Sequence, residues 1–252
     1  MRDRPWSDAD NAHVVEESLL GGNSTTGVVR VGETVRRPRA SGSDFAAKLL
    51  IYLRDVGYDA APRYLGVDEE GRDIYQFIQG ETTSHPSERD EAAYAAGGEM
   101  LRLLHDATAH HPLAAGKECV IHGDPGPFNT IFQRGMPVAF IDWDSARPGA
   151  WMPDLAYLAW TWCIQSNGNV PVRDQARRLA QLHKGYGRGD PEALLRAIIE
   201  TQLDIARTAE ALAARPAKSE QFYAHQERAI EWATADRLLT EQNFDLFVAT
   251  LS

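Results

Sequence analysis

The chain has 252 residues, 43% hydrophobic and 25% charged, an ordinary globular composition long enough for a sizeable core in two lobes. A net charge of −10 argues against a nucleic-acid or anionic-membrane surface, and two cysteines without C-x-x-C spacing, Cys119 and Cys163, argue against a disulfide framework. No apolar run approaches the roughly 18 residues of a membrane span, and the N-terminus MRDRPWSDAD carries acids in place of an apolar signal segment. The expectation is a soluble, cytoplasmic protein with no nucleic-acid or membrane partner. Its acidity is compatible with a cationic ligand and equally with solubility alone.

The first 80 residues read as strand-rich. TGVVRV and ETVRR have the form of two strands around a Gly-Glu turn, and RYLGV and DIYQFI add two more. Between them, Phe45, Leu49, Leu53 and Val56 recur at helical spacing, with Ser43 as the expected cap. After Gly80 the texture changes. ERDEAAYAAGGEMLRLLHDAT predicts a helix weakened in its middle by Gly97-Gly98. From Asp154 onward nearly everything is helical: PDLAYLAWTWC is apolar all round, and DPEALLRAIIE opens with Asp190 as cap and Pro191 at the first helical position. The fold class is therefore α+β, with a small β-rich lobe over residues 1–80 and a larger helical lobe over 81–252.

Between these regions lies VIHGDPGPFNTIFQRGMPVAFIDWD, with polar residues set at the edges of two apolar runs. Pro-Gly-Pro-Phe separates Asp124 from Asn129 and cannot be helical throughout, so a carboxylate and an amide project from one stiff loop. If TIF and VAFI pair as a hairpin, Asn129 at its start and Asp142 at its end become neighbours. Their oxygens are hard ligands suited to Mg²⁺ and its phosphates, which leaves Asp124 free to act on a hydroxyl proton. The joint pattern of His-x-Asp-x4-Asn, strand pair and apolar-Asp has the architecture of kinase phosphoryl transfer.

This segment resembles the catalytic core of the aminoglycoside phosphotransferase family, small-molecule kinases of the protein-kinase-like fold. The matching residues are His122-Gly123-Asp124, Asn129 and Ile141-Asp142-Trp143-Asp144, followed by PDLAYLAW. The resemblance implies Asp124 as catalytic base and Asn129 and Asp142 as magnesium ligands. It also implies His122 as a loop-orienting residue and Asp154 as the residue that caps and anchors the next helix. The role of Asp144 stays open between support of the metals and a plain turn residue. Gly123 stands where protein kinases carry an arginine, and only 11 residues separate Asp142 from Asp154, too few for a long regulated loop. A small-molecule acceptor is the simpler reading.

For the nucleotide, LLGGNSTTGVVRV is expected to cover the phosphates through Gly22, Asn23, Ser24 and Thr25. The next strand offers Arg36 and Arg37 and no lysine; Arg36 aligns best with the phosphate-holding cation. The helix after it has no glutamate to pair with that cation, Asp44 being the only acid near its start. IYQFIQGE resembles the hinge, with backbone at Gln76 and Ile78 meeting the base and Tyr75 at the gate of its pocket. ATP or GTP is the expected co-substrate. The resemblance implies a hydroxylated, amine-bearing small-molecule acceptor such as an aminoglycoside or other antibiotic; Glu200, Asp204, Glu227, Glu231 and Asp236 could receive its amines, but at helical spacing most of them read as a solvated face. The remaining histidines have no metal-site spacing. Alternatives are a metabolic kinase of choline, homoserine or sugar type and a silent nucleotide-binding pseudokinase; monomer and homodimer are both compatible.

Overall fold

In a computed structural model, the structure describes residues 16–19, 27–216 and 219–252. The N-terminal part is an antiparallel sheet built from β1 (Glu16–Ser18), β2 (Val29–Val31), β3 (Thr34–Arg37), β4 (Tyr64–Val67) and β5 (Asp73–Gln76), in the spatial order β1-β2-β3-β5-β4. The predicted turn between β2 and β3 falls at Gly32-Glu33, where Gly32 adopts φ +58°, a conformation that costs glycine little. Helix α1 (Ser43–Asp55) lies between β3 and β4 and buries Ala46, Leu49, Leu50 and Leu53. Ser43 is not its cap. Gly42 holds that position, and the Ser43 hydroxyl turns back to accept the Ala40 amide at 2.9 Å.

Helix α2 (Ala93–Thr108) starts the larger part, and β6 (Cys119–Ile121) leads from it into the polar segment. The expected hairpin is present as β7 (Thr130–Gln133) against β8 (Met136–Phe140), with a register shift between Ile131 and Phe132. β6 pairs instead with β9 (Arg147–Gly149), a short strand that Pro148 hides from sequence inspection. The rest is helical: α3 (Trp151–Cys163), α4 (Val172–Tyr186), α5 (Pro191–Ala213), α6 (Glu220–Gln242) and α7 (Phe244–Leu251). Asp190 caps α5 as expected, accepting the Ala193 amide at 2.9 Å. Helix α3 is the buried centre, with Leu155, Ala156, Leu158, Ala159 and Trp160 all fully inaccessible.

Gly97 and Gly98 are not a weak point of α2 but its packing seam. A Cβ on Gly98 would stand 2.2 Å from the Leu182 carbonyl of α4, and one on Gly97 would meet the Trp162 ring at 2.7 Å. Cys119 and Cys163 are buried free thiols, each pushed up to about 12 by burial and so inert as nucleophiles. Among the described residues, no helix is long and apolar enough to cross a membrane.

Candidate active site

A cavity of about 450 Å³ opens between the sheet and the helical part. Its apolar walls include Val28, Val35, Tyr75, Ile131 and Ile141, and its polar lining includes Arg37, Asn129 and Asp142. Gln76 and Ile78, the expected hinge positions, both border it. The Gln76 amide, however, donates to the Arg63 carbonyl at 2.9 Å and is not available to a base edge. Tyr75 faces the cavity and meets Tyr64 edge-on at 5.6 Å. Gly22, Asn23, Ser24 and Thr25 lie outside the described residues; on either side of them, the Leu19 amide donates to the Val28 carbonyl and both residues border the cavity.

Asp124 and Asn129 do project from one loop. Asn129 donates its side-chain amide to Asp124 Oδ2 at 2.9 Å and to the Asp124 carbonyl at 3.1 Å. Asp124 Oδ1 is buried and accepts no hydrogen bond, an exception that buried polar atoms rarely make. The Tyr157 hydroxyl of α3 lies beside this carboxylate, outside strict hydrogen-bond geometry. Burial pushes the Asp124 carboxyl above the usual carboxylate range, and the negative charge of Asp142 adds to it.

The loop is hung from Asp154. This carboxylate is only 2% exposed and accepts three hydrogen bonds, from the His122 amide (2.9 Å), the Gly123 amide (2.8 Å) and His105 Nε2 (3.0 Å). Burial alone would raise its carboxyl, but His105 and the amides outweigh that and hold it below the ordinary range. Asp154 is therefore an acceptor only, and His105 Nε2 must carry the proton. Asp154 does not cap α3, whose N-cap is Ala150; it sits in the first turn and faces inward to the loop.

His122 is wholly buried, and burial keeps it neutral by pushing its pKa down. Its Nδ1 accepts the Asp124 amide at 3.3 Å and its Nε2 donates to the Ile141 carbonyl at 3.1 Å, so one tautomer ties the 124 loop to the strand that delivers Asp142. At Gly123 (φ +85°), a Cβ would come within 2.5 Å of the Ser145 carbonyl, so glycine alone lets the loop lie this close.

Asn129 and Asp142 are neighbours across the hairpin, joined through the Ile141 amide, which donates to the Asn129 carbonyl at 2.9 Å. Asp142 adopts φ +62°, ψ +62°, a strained conformation for a non-glycine residue and one that concentrates at functional sites. The cation that reaches it is Arg37, at 2.7 Å from Asp142 and 2.8 Å from Asp144. Arg36, the residue expected from the sequence, is on the other face of β3. Its guanidinium donates to Thr34 Oγ1 at 2.6 Å and lies 3.7 Å from Asp68. Side chains alternate along a strand, so Val35 and Arg37 face the cavity and Arg36 cannot.

As a metal site the residues fit. Asn129 donates its N–H groups to Asp124, which leaves its amide oxygen for a cation. Asp142 and Asp144 gather two carboxylates around one positive group, and all are hard oxygen donors. Among the described residues, no group of three or more His, Cys, Asp or Glu is placed to hold a metal ion by itself.

Residues 104–191 match the model of the APH phosphotransferase enzyme family. The phosphotransferase match runs from the end of α2 to the start of α5 and contains the whole Asp124, Asn129, Asp142 and Asp154 constellation. It bears out the resemblance read from the sequence. A trifolitoxin immunity protein from Rhizobium leguminosarum bv. trifolii is 37% identical over 161 residues, which cover 58% of this chain and 61% of that protein. The chain thus spans less than two thirds of that relative. Among solved structures, a choline kinase from Cryptosporidium parvum Iowa II aligns over 97% of this chain and 94% of its own at TM-score 0.62 and 9% identity. The streptomycin-ATP-APH(2")-IIa ternary complex aligns over 89% and 94% at TM-score 0.55 and 12% identity. At such identities the likeness is one of fold: the chain has the bilobal protein-kinase-like fold.

Two residues of the site, His105 and Trp162, carry no motif in the sequence. The signal of His105 is a position on the apolar face of α2 with Leu101, Leu104 and Thr108. Trp162 donates to the Pro125 carbonyl at 3.1 Å. Asp236 is not a solvated acid of α6. It is buried and accepts from Trp160 Nε1 (2.8 Å) and the Ser166 amide (2.6 Å), whereas Glu200, Asp204, Glu227 and Glu231 are exposed.

Proposed function

We propose that this protein is a Mg²⁺-dependent phosphotransferase that moves the γ-phosphoryl group of ATP or GTP to a hydroxyl of a small, amine-bearing molecule. The observation that carries the reading is the Asp124 carboxylate, buried and held by Asn129 beside the Asn129–Asp142 pair, with the Tyr157 hydroxyl next to it. A group so placed is ready to accept a hydroxyl proton as the phosphoryl group arrives. Asp124 acts as base, and burial raises its carboxyl above the ordinary range, which improves its basicity. Asn129 and Asp142 would hold the magnesium ion, which neutralises phosphate charge when bound. Arg37 grips the phosphates in the place usually taken by lysine. His122 and Asp154 fix the loop. The sheet of residues up to 80 covers the nucleotide, with Gln76 and Ile78 beside the base and the 22–25 loop over the phosphates. Residues 81–252 supply the catalytic loop and the acceptor helices.

The chemistry is then mostly positioning and charge neutralisation. An antibiotic-like acceptor draws support from the trifolitoxin immunity relative and the streptomycin-bound structure, and a choline-type amino alcohol from the choline kinase. On this reading the enzyme works in the cytoplasm, where ATP and GTP are available, as a monomer or homodimer. The silent pseudokinase is the weaker reading, because a chain that had lost catalysis would not need to keep Asp124, Asn129 and Asp142 together. The test is nucleotide consumption with Mg²⁺, ATP and GTP in parallel against aminoglycosides, other hydroxylated antibiotics, choline and homoserine, with Asp142→Ala as control. Acceptor-dependent turnover that vanishes in the control supports the kinase. Mg²⁺-dependent nucleotide binding without turnover favours the pseudokinase, and no binding refutes both.

A further inference from the structure

Arg37 has no carboxylate to lean on from α1. The helix carries two acids: Asp44 pairs with Arg39, and Asp55 is exposed in the last turn. Its buried residues, Ser43, Ala46, Leu49, Leu50 and Leu53, include no acid. In protein kinases a glutamate on the equivalent helix pairs with the phosphate-holding cation, and catalysis needs that pair in place. Here both carboxylates found on Arg37 come from the opposite lobe, Asp142 at 2.7 Å and Asp144 at 2.8 Å. On the proposed reading Asp142 turns to magnesium with Asn129, which leaves Asp144 as the carboxylate that stays with Arg37. Asp144 also supports α1 directly. A Cβ on Gly42, the N-cap of α1, would stand 2.4 Å from the Asp144 carbonyl oxygen, so the start of the helix rests on this residue's backbone.

We propose that Asp144 is the positioning residue for Arg37, replacing from the helical lobe the glutamate that α1 lacks. The inference rests on the phosphotransferase reading and deepens it. The cation is oriented by the same turn that delivers Asp142, so cation and metal ligand are registered together. The grip on phosphate then needs no carboxylate from α1.

Binding of MgATP and of MgGTP, measured by calorimetry, tests this without an acceptor. The variants are Asp144→Asn, Asp144→Ser, Arg37→Ala, and Arg37→Ala combined with each Asp144 change, with the unfolding temperature recorded for all. If Asp144 works through Arg37, each Asp144 change weakens nucleotide binding about tenfold in the native background and less than about twofold once Arg37 is alanine. A simple structural role would lower the unfolding temperature and weaken binding equally in both backgrounds, and that overturns the proposal. So does a shift in Mg²⁺ requirement that persists without Arg37, which would make Asp144 a metal ligand. A native protein that binds neither nucleotide overturns the phosphotransferase reading itself, whereas native binding with additive losses overturns only the role of Asp144.

Discussion

Replacing Asp154 by asparagine should cost about 3 kcal/mol of stability, a figure that follows from its three hydrogen bonds. Oδ2 accepts from the His122 amide and from His105 Nε2, and Oδ1 accepts from the Gly123 amide. The single oxygen of an asparagine can keep the first two, but its NH₂ group then faces the Gly123 N–H, donor against donor. One buried amide is left unmatched, at about 1–3 kcal/mol, and the two surviving bonds lose their charge assistance. Urea unfolding followed by tryptophan fluorescence should show the midpoint falling by about 1 M for a slope near 3 kcal/mol/M. The charge adds a pH signature. Because the folded protein holds Asp154 below the ordinary carboxylate range, its contribution is present above the unfolded pKa of about 3.9 and is lost as pH falls through the lower folded value. The gap between native protein and variant should therefore narrow below about pH 4. A midpoint within about 0.3 M of the native one, at equal slope, would refute the claim that the loop hangs from this carboxylate.

Asp124→Asn should reduce turnover about a thousandfold while MgATP binding stays within about threefold, measured by steady-state kinetics and calorimetry. Since burial raises the Asp124 carboxyl, the acid limb of the pH–rate profile should sit above the ordinary aspartate value of about 3.9, with activity falling as pH drops through it. Arg37→Ala should weaken nucleotide binding at least tenfold, and Arg36→Ala by less than about threefold, because only Arg37 faces the cavity. Gly98→Ala should lower stability by about 2 kcal/mol or more, despite gaining about 1 kcal/mol in helix propensity, because its Cβ would press on the Leu182 carbonyl; thermal unfolding reads this directly.

The candidate catalytic loop was legible because its residues are local in the chain. Asp124 and Asn129 are five residues apart on a loop that Pro125 and Pro127 stiffen, and the hairpin that returns Asp142 is short enough to read from alternating apolar runs. Arg36 and Arg37 differ by one position, and one position on a strand reverses the face. Motif alignment could choose the pair but not the register; only the pairing of Val35 with Tyr75, both facing the cavity, settles it. The Gly97-Gly98 step shows the opposite failure. Propensity assigns glycine a cost within an isolated helix, and the compensating contact lies on α4, more than 80 residues away.

His105 shows why supporting residues are harder to read than reacting ones. Nothing in its neighbourhood marks it, because its partners are Asp154 at 3.0 Å and the Tyr186 hydroxyl at 2.9 Å, both far along the chain. Yet the chain of contacts is continuous: Tyr186 holds His105, His105 and the loop amides share Asp154, and His122 ties the loop to Ile141 just before Asp142. Asp124 and Asp142 are thus set by one buried network in the helical lobe. Among the described residues, Arg37 of the sheet meets that network through Asp142 and Asp144. On the proposed reading, a change in lobe orientation would therefore alter the phosphate grip of Arg37 before it altered the relation of Asp124 to Asp142. Substitutions between the lobes should accordingly act on nucleotide affinity, and substitutions around His105 and Asp154 on the rate of the chemical step.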